Sequence, residues 1–262
     1  MTPTRTVRWP DADVAADLER LRRRAPLVHL HTNPVALALS ANLLSAIGAV
    51  PAARGLVETA DRPPGRPDAV LVNLGVRTAG RRAVWEAAAR AANEAGVPWV
   101  LDPIGANSMY PEPREIAGSL LALRPAVVRG NGSEIEALAG GVLSGRGPDS
   151  ARTAAEAAES AVRLADTAAT VVAVSGPVDL VTDGTEAVAV PGGHPLLPRV
   201  SAMGCALGAL VAAFSAVGTS PLRAAVSASA VLAEAGGRAG RRARGPGTLV
   251  PHLVDAVHDL QP

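Results

Sequence analysis

Residues 69–74, Ala69-Val70-Leu71-Val72-Asn73-Leu74, form a short run that is apolar until it reaches an amide near its end. A strand with one wet face alternates apolar and polar residues. A run this continuous belongs to a strand covered on both faces, which is the parallel arrangement. Four further runs share the character, at 27–31, 98–101, 126–129 and 170–175. Helical spacing of apolar residues fills the intervals at about 35–47, 79–95, 114–122, 132–139 and 151–166. After residue 176 the pattern changes: Val178 to Val181, then Asp183-Gly184, then Ala187 to Val190 predicts a hairpin. Three helices, near 205–217, 220–236 and 248–259, close the chain, and 61–68 and 236–247 read as loops. Neither loop is long enough to divide domains and no internal repeat is visible. The expectation is one α/β domain over residues 1–262, with a central, mostly parallel sheet flanked by helices.

Composition narrows the function classes. The formal net charge of +1 offers no basic field for nucleic acid. All 25 basic residues are arginine, which excludes a P-loop lysine and any lysine-based nucleophile. One cysteine, Cys205, excludes an intramolecular disulfide and a multi-cysteine metal cluster. The N-terminus lacks the apolar core of a signal peptide, and no uncharged stretch reads as a clear membrane span. A soluble, cytoplasmic chain with no nucleic-acid or membrane partner is expected.

In an open α/β sheet, ligands bind beyond the carboxyl ends of the strands. Polar residues collect there: Thr32-Asn33, then Asn73 and Gly75, then Asp102-Pro103-Ile104-Gly105, then Arg129 through Glu134, then Ser175-Gly176. Each has a plain structural alternative: Asp102 as a turn cap, Asn33 as a helix cap, Glu134 as a solvated first-turn carboxylate. Together they offer two carboxylates for Mg²⁺ and an arginine for phosphate. Cys205 adds to them. The segment 200–214, Val-Ser-Ala-Met-Gly-Cys-Ala-Leu-Gly-Ala-Leu-Val-Ala-Ala-Phe, carries it from a small-residue turn into an apolar helix. A helix start presents unpaired N–H groups and the positive end of the macrodipole, which suits an anion. A thiol there is expected to have a lowered pKa; the alternative is an ordinary buried cysteine. These are the parts for phosphoryl transfer from ATP without a P-loop.

The chain resembles the hydroxyethylthiazole kinase family, ribokinase-like enzymes of thiamine salvage, from about residue 27 to 259. The motifs are Val28-His29, Thr32-Asn33, Ala41-Asn42 and Gly48-Ala49-Val50-Pro51, followed by Asn73-Leu74-Gly75 and Leu101-Asp102-Pro103-Ile104-Gly105-Ala106. Val128 to Ile135, Val178-Asp179, Val181 to Gly184, Gly193 to Leu197, Gly204 to Leu207 and Gly245-Pro246-Gly247 complete the set. The resemblance implies a ribokinase-like three-layer fold and transfer of the ATP γ-phosphoryl group to the hydroxyl of 4-methyl-5-(2-hydroxyethyl)thiazole. It implies Cys205 as the catalytic residue, and Asp102 and Glu134 as the Mg²⁺ positions. Arg129, Asn131 and Ser175 would contact ATP, while Asn33, Ala53, Gly75, Ala202 and Gly204 would meet the alcohol. A homotrimer with active sites between subunits is implied as well.

Departures cluster on the alcohol side. The family's Gly-Thr-Gly-Cys turn is Ala202-Met203-Gly204-Cys205 here, and Ala53 replaces a methionine that touches the thiazole. Val76 stands where threonine is common, and Asn107-Ser108-Met109 replaces a smaller segment. Two other readings follow: a related kinase for another small alcohol, and a non-catalytic binder of thiazole or nucleotide. The histidines show no metal-ligand spacing.

Overall fold

The computed structural model describes residues 3–53, 66–76, 80–141 and 152–261. Its elements run β1 (Arg5–Thr6), α1 (Ala12–Arg24), β2 (Leu27–His31), α2 (Pro34–Ile47), β3 (Val50–Ala53), β4 (Ala69–Asn73) and α3 (Arg81–Glu94). They continue through β5 (Trp99–Asp102), α4 (Pro111–Leu121), β6 (Val127–Asn131), α5 (Gly132–Leu138), α6 (Ala158–Ala168) and β7 (Val171–Ser175). The hairpin β8 (Val178–Thr182) and β9 (Ala187–Pro191) follows, then a 3-10 turn (Leu197–Arg199), α7 (Met203–Ser215), α8 (Pro221–Arg242) and α9 (Pro246–Asp259).

The strands form one sheet in the order β1-β9-β8-β7-β6-β5-β4-β2-β3. Only the β7–β8 and β8–β9 pairings are antiparallel, so the mostly parallel sheet and the hairpin stand as expected. Helices cover both faces in three layers. Val28, Leu30, Leu71, Val100, Val127 and Ala173 point toward α1, α2, α7, α8 and α9. Val70, Val72, Trp99, Leu101, Val128 and Val172 point toward α3, α4 and α6. That two-sided burial is what the continuous apolar runs encode. The chain order reverses between β2 and β4, and in open α/β sheets ligands bind beyond the strands' carboxyl ends at such a point. Among the described residues no helix is long and apolar enough to cross a membrane.

Several expectations are corrected. Helix α8 runs to Arg242, through most of the Gly- and Arg-rich stretch read as a loop from 236. Its glycines admit neighbours: a Cβ on Gly236 would lie 2.7 Å from Leu197 Cδ1, and one on Gly240 would fall on the His194 ring. Packing overrides helix propensity there. Helix α6 starts at Ala158, not 151, and α4 starts at Pro111 rather than 114. Residues 61–65 of the other expected loop, and positions 79 and 151, lie outside the described residues.

Three elements were not anticipated. Strand β1 has two residues, and β3 contains Pro51 on the sheet edge, where a missing donor is tolerated. Helix α1 is arginine-rich but amphipathic, with Val14, Leu18 and Leu21 buried behind an Asp11 cap. It is pinned by Asp17, which is fully buried and accepts from Arg223 Nε at 2.8 Å and Ser227 Oγ at 2.6 Å on α8, and pairs with Arg20.

Breaking a buried ion pair from one side costs ~3–5 kcal/mol, and the partial exposure of Arg223 places this pair at the lower end. Asp17→Ala should therefore lose about 3 kcal/mol in urea denaturation. A loss under about 0.5 kcal/mol would mean that α1 is held by its apolar stripe alone.

Candidate active site

The site begins with strand register. Side chains on a strand alternate between faces, so residues two apart share one. Asn73, Asp102, Arg129 and Ser175 each lie two residues beyond Leu71, Val100, Val127 and Ala173, on the face that packs against α7 and α8. Asn73 and Asp102 are direct partners in the ladder, and Asn131 opposite Ser175 sets the register of β6 and β7. The apolar interior therefore ends in a polar row across four adjacent strands. Helix α7 packs over β2, β4, β5 and β6 and aims its start at that row.

Bonds within the row are short and directional. Asn73 Nδ2 donates to Asp102 Oδ2 at 2.7 Å, and Arg129 NH1 lies 3.9 Å from the same oxygen. Arg129 Nε donates to Ser175 Oγ at 3.2 Å. On the other side, Asn33 Nδ2 donates to Asn73 Oδ1 at 2.9 Å. Asn33 is also the cap of α2, with its Oδ1 accepting from Ala36 N–H at 3.0 Å, so one side chain both caps the helix and reaches the row. A Cβ on Gly75 would fall on Asn33 Nδ2, so a side chain at 75 would break this wall.

Glu134 is buried, so it is not the solvated first-turn carboxylate that one reading allowed. It forms a capping box with Asn131 at the start of α5: Asn131 Oδ1 accepts from Glu134 N–H at 3.0 Å, and Glu134 Oε2 accepts from Asn131 N–H at 2.9 Å. Its Oε1 reaches across to accept from Gly105 N–H at 3.0 Å, tying α5 to the loop after Asp102. Burial, and then the charge of Asp102, push the Glu134 carboxyl up to about 7. Burial also raises Asp102, against the pull of Arg129, Asn73 and Cys205. Among the described residues no group of three or more His, Cys, Asp or Glu side chains converges for a metal. Two buried oxygen donors do suit a hard cation that shares its shell with phosphate.

Helix α7 starts on Ala202, with φ 65° and ψ 10° and no side-chain cap. An alanine held in this left-handed region costs ~1–2 kcal/mol. With no capping side chain, the first amides of α7 have no such partner and suit an anion. Gly204 is there for space: a Cβ would lie 2.5 Å from Arg129 NH1, so the guanidinium rests against the helix start. Two cationic features side by side favour an anion between them.

The thiol is where the sequence misled. Cys205 is buried and hydrogen-bonds Asp102 and Asn73, but burial, followed by the charge of Asp102, pushes it up to about 12. The helix start does not lower it. The thiol therefore keeps its proton at neutral pH, and Cys205 is a neutral hydrogen-bonding group.

Asp102, Glu134, Arg129, Ser175, Gly204 and Cys205 thus come together, and Asn33 and Gly75 join them through Asn73. Ala53 stands apart, exposed at the end of edge strand β3 beyond β2. Two participants were named in the sequence but given no role: Asn73, the central amide, and Asp179. The latter accepts from Gly176 N–H at 2.9 Å and is raised by burial to about 6 despite Arg129 nearby. Position 73 was legible as the polar end of a strand, and Asp179 as a carboxylate opening the hairpin.

Glu134 makes stability depend on pH. Between about pH 4.5 and 7 the folded chain keeps a proton on Glu134 that the unfolded chain releases. Its contribution to stability is therefore greatest below that window and falls as pH rises through it. Denaturation at pH 5 and pH 7.5 should show wild type losing ground to Glu134→Gln as pH rises. An equal gap at both pH values would contradict the raised carboxyl.

Comparison with known proteins places these residues in context. A family model described as the Hydroxyethylthiazole kinase family matches residues 18–262. A hydroxyethylthiazole kinase of Tolumonas auensis is 43% identical over 253 residues, covering 96% of this chain and 94% of that protein. One of Nitratidesulfovibrio vulgaris is 45% identical over 244 residues, covering 93% and 91%. The structure of the hydroxyethylthiazole kinase protein from Pyrococcus horikoshii superposes with a TM-score of 0.83 at 34% identity, covering 96% and 95%. A pyridoxal kinase of Bacillus subtilis shares the fold alone, with a TM-score of 0.58 at 18% identity over 80% of this chain and 90% of that one.

Proposed function

The chain belongs to the hydroxyethylthiazole kinase family, and we propose that it phosphorylates the hydroxyl of 4-methyl-5-(2-hydroxyethyl)thiazole with ATP, salvaging this alcohol for thiamine. The supporting observation is the row of buried Asn73, Asp102 and Arg129 with half-buried Ser175, facing the uncapped start of α7 and bordering at Asn73 the point where the sheet order reverses. The whole chain serves as one kinase domain.

Phosphoryl transfer is mostly positioning and charge neutralisation, because its transition state is loose. Arg129 and the first amides of α7 take the phosphate charge. Ser175 fixes the guanidinium, and Asn131 shapes the nucleotide side as the cap of α5. Asn33 and Gly75 form the alcohol wall, with Ala202 and Gly204 closing the turn. Asp102 and Glu134 would hold Mg²⁺, which when bound would neutralise charge on the ATP phosphates. Cys205 orients the acceptor hydroxyl as a neutral donor, and its proton stays on sulfur. Ala53 would contribute across an interface at the exposed edge of the sheet, on β3 with Val50, which is 47% exposed. A homotrimer whose sites lie between subunits, acting in the cytoplasm, belongs to the same reading.

The direct assay is formation of the thiazole phosphate from ATP, Mg²⁺ and purified protein. Turnover on a different alcohol alone would favour the related-kinase reading, and binding without turnover would favour a binder.

A neutral donor to a charged centre is worth ~1.5–3 kcal/mol. Cys205→Ala should therefore lower kcat by roughly 10- to 150-fold, less than loss of a strong general base can cost. Cys205→Ser, which keeps a donor, should retain most activity. A collapse of both variants by about 10⁴-fold would restore the thiolate as base.

Asp102→Asn and Glu134→Gln should each raise the Mg²⁺ concentration needed for half-maximal rate. Titration curves coincident with wild type for both variants would remove them from the metal.

A further inference from the structure

Asn73 is fully buried at the carboxyl end of β4, and every hydrogen-bonding position of its amide is used within the site. Oδ1 accepts from the Gly75 backbone N–H at 3.0 Å and from Asn33 Nδ2 at 2.9 Å. Nδ2 donates to Asp102 Oδ2 at 2.7 Å, and the side chain hydrogen-bonds the Cys205 thiol. A side-chain amide has two donors and two acceptor lone pairs, so nothing remains for water. Its orientation is fixed independently: a backbone N–H only donates, so the end facing Gly75 must be oxygen and the end facing Asp102 must be nitrogen.

A core-filling role would not need an amide. Positions 69 and 71, on the same face of β4, are Ala69 and Leu71. A buried amide is unfavourable unless it is matched throughout, and here it is matched only by site residues. We propose that Asn73 is a positioning residue for phosphoryl transfer. It locks Asp102 and Cys205 to the wall formed by Asn33 and Gly75, so the group that meets the alcohol and the group that faces phosphate share one rigid unit. The proposal rests on the kinase reading above.

Asn73→Asp tests it. The variant keeps the size and both acceptors, hence the bonds from Asn33 and Gly75, but sets a carboxylate against Asp102 and removes the donor to Cys205. Misplacing reacting groups by about an ångström costs up to ~10²-fold. The expected result is a kcat lower by about 10- to 100-fold with KM for ATP little changed. The double variant Asn73→Asp with Asp102→Asn restores an amide–carboxylate pair in reverse. It should recover the thermal midpoint without recovering kcat, because the carboxylate has left position 102. Wild-type kcat in Asn73→Asp, or kcat and midpoint recovering together in the double variant, would overturn the proposal.

A readout without turnover separates this from the kinase reading. In thermal denaturation Asn73→Asp and Asp102→Asn should be non-additive, the double variant standing above Asn73→Asp alone, because the two side chains share one hydrogen bond. A wild-type chain inactive on the thiazole alcohol, with this coupling present, sinks the kinase reading and retains the locking role. Additive losses overturn the locking role.

Discussion

A carboxylate in a dry interior must have its charge matched, and Asp102 is matched from three directions. Asn73 donates from the neighbouring strand at 2.7 Å, Arg129 approaches from the other side at 3.9 Å, and Cys205 closes from above. The rest of the site follows from accommodating that group. Helix α7 must come close over β5, and Gly208 admits it: a Cβ there would lie 3.5 Å from Asp102 Oδ2 and 3.3 Å from Leu71 Cδ1. Arg129 must lie against the helix start, which fixes glycine at 204. A second acid, Glu134, is tolerated close by because two backbone N–H groups hold it and its proton affinity rises to relieve repulsion.

The sheet was legible because burial on both faces leaves unbroken apolar runs, as at Ala69 to Leu74 and Val171 to Val174. The hairpin was legible from Asp183-Gly184. The residues now assembled around Asp102 were legible as polar breaks ending those runs, and the family resemblance sorted them into roles. Helix α1 was hidden by its arginines, although Val14, Leu18 and Leu21 carry helical spacing. The end of α8 was hidden because Gly236 and Gly240 are chosen for Leu197 and His194, partners 39 and 46 residues earlier in sequence. The state of Cys205 was not legible at all. A helix start predicts a lowered thiol pKa, and burial beside Asp102 reverses the sign.

Helix α7 also shows how a turn survives loss of its usual glycine. Ala202 holds a left-handed conformation, as do Ala25 and Ala169 at the ends of α1 and α6. A cost of ~1–2 kcal/mol at one such residue is small beside the packing of α7, buried from Cys205 to Phe214. Context therefore holds the backbone where the side chain alone would not, and the N–H groups at the helix start keep their direction.

The order of strands in the sheet sets a timetable for biosynthesis. Strands β4 to β7 pair with their successors in sequence, so each can dock soon after it leaves the ribosome. The amino-terminal strand pairs Arg5 with Val188, and Asp17 waits for Arg223 and Ser227. At ~5–20 residues per second, the first two dozen residues stay undocked for roughly 10 to 40 seconds. Asn73, Asp102 and Arg129 are by then aligned on adjacent strands, with Asn33 just past the end of β2, and α7 arrives as a lid on a row already laid down.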